Sequence, residues 1–406
     1  MSQNSNHTAA MKITIVGGCG HIGLPLGIKL AEKGYQISLF DINEYKVNQV
    51  NLGQMPFTER GSDELLKEVV TKRRLTATLR YEAISEAEIV ILTTGTPVDQ
   101  FLNPKVRDVL KIIDQIKGNL KDHQTIILRS TLYPGTSEMI YRKIKELNLS
   151  ISVSFCPERI AEGNAMSELS QLPQIVSGFD EKGLSVAKEI FGHLTNGKII
   201  QLSPLEAELC KLFCNTWRYI NFSISNEFYE IATRAGADFN KVHAAATQDY
   251  PRMTGFAKAG LAAGPCLFKD TMQLAAFSQN SFFLGHAAML VNEGLPAFLV
   301  NQLRDLLGGS LIQKKVSVLG MTFKKDSDDP RESLSFKIYK QLEILGADVS
   351  CHDPFIEAKN WSQYQFLELD EVKESQDGVI IGTPHSVYQN IKFHNKVKIV
   401  DVWGVI

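Results

Sequence analysis

The chain has 406 residues, 44% of them hydrophobic and 22% charged, with a formal net charge of -2. This length gives about two to three domains with a large core, and the near-neutral balance removes any general electrostatic reason to bind nucleic acid or an anionic membrane. No apolar run reads as long enough to span a membrane, and Cys19, Cys156, Cys210, Cys214, Cys266 and Cys351 lack the short-spaced Cys/His pairs of a metal site, which points to reduced thiols in a cytoplasmic protein.

Residues 1–10 are polar without an apolar core and read as a disordered extension, not a signal peptide. The apolar β-branched run 12–16 then ends in Gly17-Gly18-Cys19-Gly20-His21-Ile22-Gly23 and enters a helical segment, giving strand, glycine turn and helix. Gly18 is expected to allow the tight turn, Gly20 to let the backbone approach a pyrophosphate, and Gly23 to permit close helix packing, with the helix N-terminus facing the anion. A second strand, 36–40, ends at Asp41, whose carboxylate suits ribose hydroxyls and repels a 2′-phosphate. NAD is therefore favoured over NADP, although Lys46 weakens that discrimination.

Further strands at 89–92, 125–128 and 151–155, separated by helical stretches, give a doubly wound α/β sheet. Each runs into a polar turn: Thr93-Thr94-Gly95-Thr96, Ser130-Thr131, and Cys156-Pro157-Glu158-Arg159-Ile160-Ala161-Glu162. Ligands of such sheets lie beyond the strand C-termini, so these turns line one crevice.

From 205 to 235 the chain lacks Pro and Gly, which predicts one long helix. Leu209, Leu212, Phe213, Ile220 and Ile224 form its apolar side, and Glu208, Lys211, Asn215 and Arg218 its polar side, read either as a solvated face or as ligands for a polar molecule. The same helix could supply a dimer interface or connect two domains. Downstream, Gly260, Gly264 and Pro265 imply an irregular loop before Cys266, with Lys269 and Asp270 opening the next helix. A cation and a helix N-terminus both favour a thiolate, and a thiolate beside hydride-transfer machinery suggests capture of an aldehyde and its oxidation to an acid.

Residues 315–353 read as a weak echo of the opening βαβ unit without the glycine fingerprint. The charged stretch Phe323-Lys324-Lys325-Asp326 to Arg331 is either a surface loop or a phosphate clamp through Lys324 or Arg331.

Together and in this order, these motifs resemble the UDP-sugar 6-dehydrogenase family over 11–406. The resemblance implies two Rossmann-like doubly wound domains joined by a long central helix and a helical dimerisation domain. It divides the chain into an NAD-binding domain at 11–202, a central substrate and dimerisation domain at 203–302, and a UDP-sugar-binding domain at 303–406. It implies a cytoplasmic homodimer. Cys266 would capture the aldehyde, Lys211 and Asn215 would stabilise the oxyanion, Asp270 would activate water, Glu158 would be the base for hydrolysis, and Thr131 would join the catalytic group. The cofactor would lie on Gly18, Gly20, His21, Ile22, Gly23, Asp41, Lys46, Thr94, Thr96, Thr131, Glu162 and Arg331. The sugar nucleotide would meet Arg159, Ile160, Lys211, Asn215, Arg218, Gly260, Phe323 and Lys324, with Arg252 reaching across a dimer.

Cys156-Pro157-Glu158-Arg159, Asn215 to Arg218 with Asn221, and Pro251-Arg252 look like the N-acetylhexosamine branch. Ala262, Ala263, Pro265 and the Lys269-Asp270 pair depart from it, so UDP-glucose stays an alternative. A single-step β-hydroxyacid dehydrogenase and a nonenzymatic NAD sensor are the other readings.

Overall fold

The computed structural model describes residues 11–95, 98–99 and 104–406; Thr96 lies outside them. The chain divides into two compact units, Met1–Phe213 and Cys214–Ile406.

The first unit is built on an eight-stranded sheet: β1 Lys12–Val16, β2 Gln36–Phe40, β3 Leu75–Thr78, β4 Ile89–Leu92, β5 Thr125–Leu128, β6 Ser152–Phe155, β7 Gln174–Gly178 and β8 Ile199–Gln201. Their order is β3-β2-β1-β4-β5-β6-β7-β8, with only the β6–β7 pair antiparallel. All residues of β4, β5 and β6 are buried, as expected for parallel strands covered on both faces. Ladder bonds continue past the strand ends: Gly17 N–H to Phe40 O (2.9 Å), Thr93 N–H to Val16 O (2.9 Å), Arg129 N–H to Leu92 O (2.9 Å) and Cys156 N–H to Leu128 O (2.8 Å). The turns expected to bind ligand are thereby held in register along one sheet edge.

The long helix, Pro204–Arg234, runs across the boundary between the units. Its start is a capping box: Glu206 accepts from Ser203 N–H at 2.8 Å, and Ser203 Oγ accepts from Glu206 N–H at 3.4 Å. At its end Gly236 takes φ +73°, and Ala237 N–H closes on Ala232 O at 2.8 Å.

The second unit carries a parallel sheet of β9 Lys315–Leu319, β10 Asp348–His352, β11 Gly378–Ile381 and β12 Lys398–Val400, in the order β10-β9-β11-β12. The end of the long helix and helix Phe283–Leu306 pack with this sheet: Tyr229, Leu295, Leu299 and Leu303 share one core with Val316, Val318 and Ile380. One expectation is corrected, because helix Phe283–Leu306 is long and apolar enough to cross a membrane by length and composition. Its Leu295, Leu299, Val300 and Leu303 are nevertheless buried against the sheet, which is how a core helix spends its apolar residues.

Candidate active site

In the first unit the left-handed residue of the opening turn is Gly17, φ +76°. Gly18 is required by close approach within the turn, since a Cβ there would lie 2.7 Å from Ile15 O and 2.8 Å from Leu39. Gly23 is equally tight, with Gly17 O at 2.6 Å from its would-be Cβ. Gly20 differs: its would-be Cβ meets only Gly17 O, at 3.4 Å, so the space beside it is open for a ligand backbone or phosphate.

Asp41 receives the Cys19 N–H at 2.9 Å on Oδ2 and the Asn43 N–H at 3.1 Å on Oδ1, which holds its carboxylate at the end of β2. Burial, and then Asp41, push the Cys19 thiol up to about 12, so it stays neutral. The His21 ring packs on Phe57 at 4.0 Å, and Lys46 Nζ lies 5.9 Å above the same ring. The open glycine, the carboxylate and the helix that begins at Gly23 fit a dinucleotide with free ribose hydroxyls. Thr94 and Thr131 are half-buried on the turns after β4 and β5, joined by Ser130 Oγ donating to Thr94 O at 2.6 Å. Glu162 is half-buried on the turn that follows β6.

Glu158, expected as the base for hydrolysis, is held by several contacts. It is 6% exposed, one oxygen is paired with the buried Arg129 guanidinium, and the other accepts Arg159 N–H at 2.7 Å and Ile160 N–H at 3.1 Å. These contacts use three of the carboxylate's about four acceptor sites, and they hold the turn after β6 in place. Arg129, which no motif marked, also donates to Gln174 at 2.8 Å and to Cys156 O at 3.0 Å and stacks on Phe191. Arg159 donates to the Pro173 carbonyl, and Ile160 packs against the core of this sheet.

Burial on the long helix does not follow its polar and apolar sides. Glu208, Lys211 and Asn215 are buried, whereas Phe213 and Ile224 are exposed; Leu212 and Ile220 are buried as expected and Arg218 is exposed. Glu208 accepts from Gly135 N–H (2.6 Å) and Ser137 N–H (2.8 Å), capping helix Thr136–Lys145, and burial raises its carboxyl despite those bonds. Lys211, 8% exposed, makes no hydrogen bond or ion pair with the described residues. A buried ammonium without a counter-ion suits a ligand that brings developing negative charge.

In the second unit Cys266 is exposed and occupies the N-cap of helix Leu267–Phe277, with its carbonyl accepting Asp270 N–H at 2.9 Å. Asp270 is 1% exposed; its Oδ2 accepts from Asn215 Nδ2 at 2.6 Å, and its Oδ1 lies 3.1 Å from Lys269 Nζ. The carboxylate and the amide are thus joined across two helices, one turn after the residue that carries the thiol. The loop before the thiol is pinned from the long helix, where Asn226 accepts Gly260 N–H at 2.8 Å and donates to Gly260 O at 3.0 Å. Asn292 supports Asn226 at 2.9 Å.

Two aromatic rings press on this loop. Trp403 occupies the space of a side chain at Gly260, and the Phe323 ring lies 2.5 Å from a would-be Cβ on Gly264, φ +97°. Gly264 N–H donates to Glu332 O at 3.2 Å, so the charged loop that carries half-buried Lys324 meets the thiol segment directly. Arg331 forks onto Asp329 at 2.9 Å, which reads as a loop brace before it reads as a phosphate clamp. Arg252 sits exposed on the short turn Pro251–Met253 above the Tyr250 ring. Sequence reasoning missed Arg129, Asn226, Asn292 and Trp403, whose partners are all distant along the chain.

Three domain models of one family match in succession: the NAD binding domain of the UDP-glucose/GDP-mannose dehydrogenase family over 11–195, its central domain over 205–293 and its UDP binding domain over 317–406. The chain belongs to the UDP-glucose/GDP-mannose dehydrogenase family. As a member of this family it is an NAD-dependent nucleotide-sugar dehydrogenase, with the glycine turn in the NAD-binding part. It is 32% identical to a UDP-N-acetyl-D-mannosamine dehydrogenase of Methanococcus maripaludis over 386 residues, 94% of this chain and 88% of that one. The UDP-D-ManNAc dehydrogenase of Pyrococcus horikoshii superimposes with a TM-score of 0.89 at 26% identity, covering 98% of this chain and 96% of its own. A UDP-glucose dehydrogenase of Pyrobaculum islandicum gives 0.92 at 26%, covering 100% and 96%.

Proposed function

We propose that this enzyme oxidises C6 of a UDP-N-acetylhexosamine, UDP-ManNAc or UDP-GlcNAc, to the uronic acid in two successive two-electron steps. The observation that carries this reading is the exposed thiol at a helix N-cap, one turn before a buried carboxylate held by Asn215.

NAD, when bound at Gly18, Gly20, Gly23 and Asp41, supplies the hydride acceptor for both oxidations. Cys266 adds through sulfur to the C6 aldehyde left by the first oxidation, giving a thiohemiacetal; loss of a second hydride and a proton leaves a thioester, which water cleaves to the acid and the restored thiol. Lys211 and Asn215 stabilise the oxyanion of the adduct, and Asp270 orients the water. Lys324 and Phe323 hold the nucleotide, with Arg331 braced by Asp329 beside them.

The N-acetylhexosamine branch is favoured over glucose by the 32% identity to the Methanococcus maripaludis UDP-N-acetyl-D-mannosamine dehydrogenase and by the Cys156-Pro157-Glu158-Arg159 turn, while the backbone fits a solved UDP-glucose dehydrogenase as well as a UDP-D-ManNAc dehydrogenase. Assay of UDP-ManNAc, UDP-GlcNAc and UDP-glucose tests the choice: kcat/KM should be highest for an acetamido sugar, and a preference for UDP-glucose would overturn it.

We also propose a homodimer. Trp217, Ile224, Phe228 and Ile231 form an exposed apolar stripe at helical spacing along the long helix, an arrangement a lone chain leaves in water and a second copy buries. A solution mass equal to one 45.2 kDa chain would contradict it.

A further inference from the structure

The C-terminal half buries a polar group that neither the cofactor nor the thiol chemistry employs. His385 and Asp353 are 0% and 6% exposed, and their contacts converge on the start of the 321–333 loop. Asp326 N–H donates to His385 Nδ1 at 2.9 Å, so the ring proton sits on Nε2, which faces Asp353 Oδ2 at 3.1 Å and Thr322 Oγ1 at 3.2 Å. Asp353 Oδ2 also accepts the N–H groups of Met321 (2.6 Å) and Thr322 (3.0 Å). Three loop amides are therefore held by one carboxylate, directly after β10, and one imidazole, on the turn that follows β11.

The far side of the same loop meets the thiol segment. Phe323 fills the space beside Gly264, Glu332 O accepts Gly264 N–H, and Ser333 Oγ returns to Thr322 O at 3.2 Å. A displacement of the loop start would therefore move Phe323 and Lys324 relative to Cys266.

We infer that His385 and Asp353 are positioning residues: together they latch the 321–333 loop onto the thiol segment and thereby set how tightly the sugar nucleotide is held. This inference rests on the function proposed above. His385 touches no reacting atom in it; it acts through the amides of Met321, Thr322 and Asp326.

The test combines backbone amide exchange with steady-state kinetics on the full-length chain and on His385→Ala, His385→Gln and Asp353→Asn. Gln retains a donor toward Asp353 and loses the acceptor for Asp326 N–H, while Asn at 353 keeps an acceptor but not the charge, and both preserve buried volume. In His385→Ala exchange across 321–333 should rise about tenfold, and that at 259–264 should follow, while β9 to β12 stay within about twofold of wild type. His385→Gln and Asp353→Asn should change in the same direction by less. KM for the UDP-sugar should rise about fivefold or more with KM for NAD within about twofold. Unchanged exchange in 321–333 in all three variants, or a rise spread equally over β9 to β12, would overturn the latch; so would a fall in kcat with KM for the UDP-sugar unmoved. A wild-type chain that oxidises no UDP-sugar would refute the proposed function instead, and the exchange comparison would still decide whether the latch exists.

Discussion

Asn215 Nδ2 donates to Asp270 Oδ2 at 2.6 Å, joining the long helix to the helix whose N-cap is Cys266. Since Asp270 is almost fully buried, this amide is its main neutral donor, and the ion pair to Lys269 is the other restraint.

Asn215→Ala should therefore cost about 1.5–3 kcal/mol, the range for a lost hydrogen bond to a charged group. Thermal unfolding of the purified variant checks this, and an unchanged midpoint would mean that the Asn215–Asp270 bond contributes nothing to stability.

The two groups nearest the proposed chemistry separate by substitution. Cys266→Ser should form no acid while NAD still binds, because the neutral serine hydroxyl is a far weaker nucleophile toward the aldehyde than a thiolate and no thioester can form from it. Lys211→Ala should slow both oxidations by about 100-fold to 1000-fold with helicity retained, alanine being the best helix former. Normal turnover of either variant, measured with the preferred UDP-sugar, would remove that residue from the mechanism.

Gly264→Ala places a methyl 2.5 Å from the Phe323 ring at a backbone φ of +97°. Strain and overpacking together should destabilise by about 2–4 kcal/mol. Alkylation of Cys266 should change in rate as the loop shifts, and an unaltered alkylation rate with an unaltered melting temperature would show that the ring can yield.

Burial alone pushes the Asp353 carboxyl up, but His385 and the N–H groups of Phe355 and Met321 more than offset it and hold it below the usual carboxylate range. A depressed folded-state pKa contributes stability above the unfolded value, about 3.9, and loses it as pH falls through the folded value. The wild type should exceed Asp353→Asn in unfolding free energy at pH 6–7, and the gap should narrow below about pH 4. Denaturant titrations that stay parallel from pH 3 to 7 would exclude the linkage.

Much of the architecture was legible because β-branched runs such as Ile89–Leu92 end in polar turns, and because 205–235 contains no helix breaker. The orientation of the long helix was not. Periodicity separates polar from apolar residues, but burial follows partners: Glu208 is inside because Gly135 and Ser137 offer N–H groups, and Asn215 because Asp270 accepts its amide. The ion pair of Glu158 was hidden for the same reason, since its partner Arg129 stands in ordinary strand sequence. The thiol loop was legible as irregular from Gly260 and Gly264, yet the rings that require those glycines, Trp403 and Phe323, lie far downstream.

The central claim is that sulfur carries the sugar between two oxidations. The direct measurement is the number of NADH formed per UDP-sugar consumed, read by absorbance against product mass. The account predicts two NADH with the uronic acid as the only released product; one NADH with released aldehyde or ketone would contradict it.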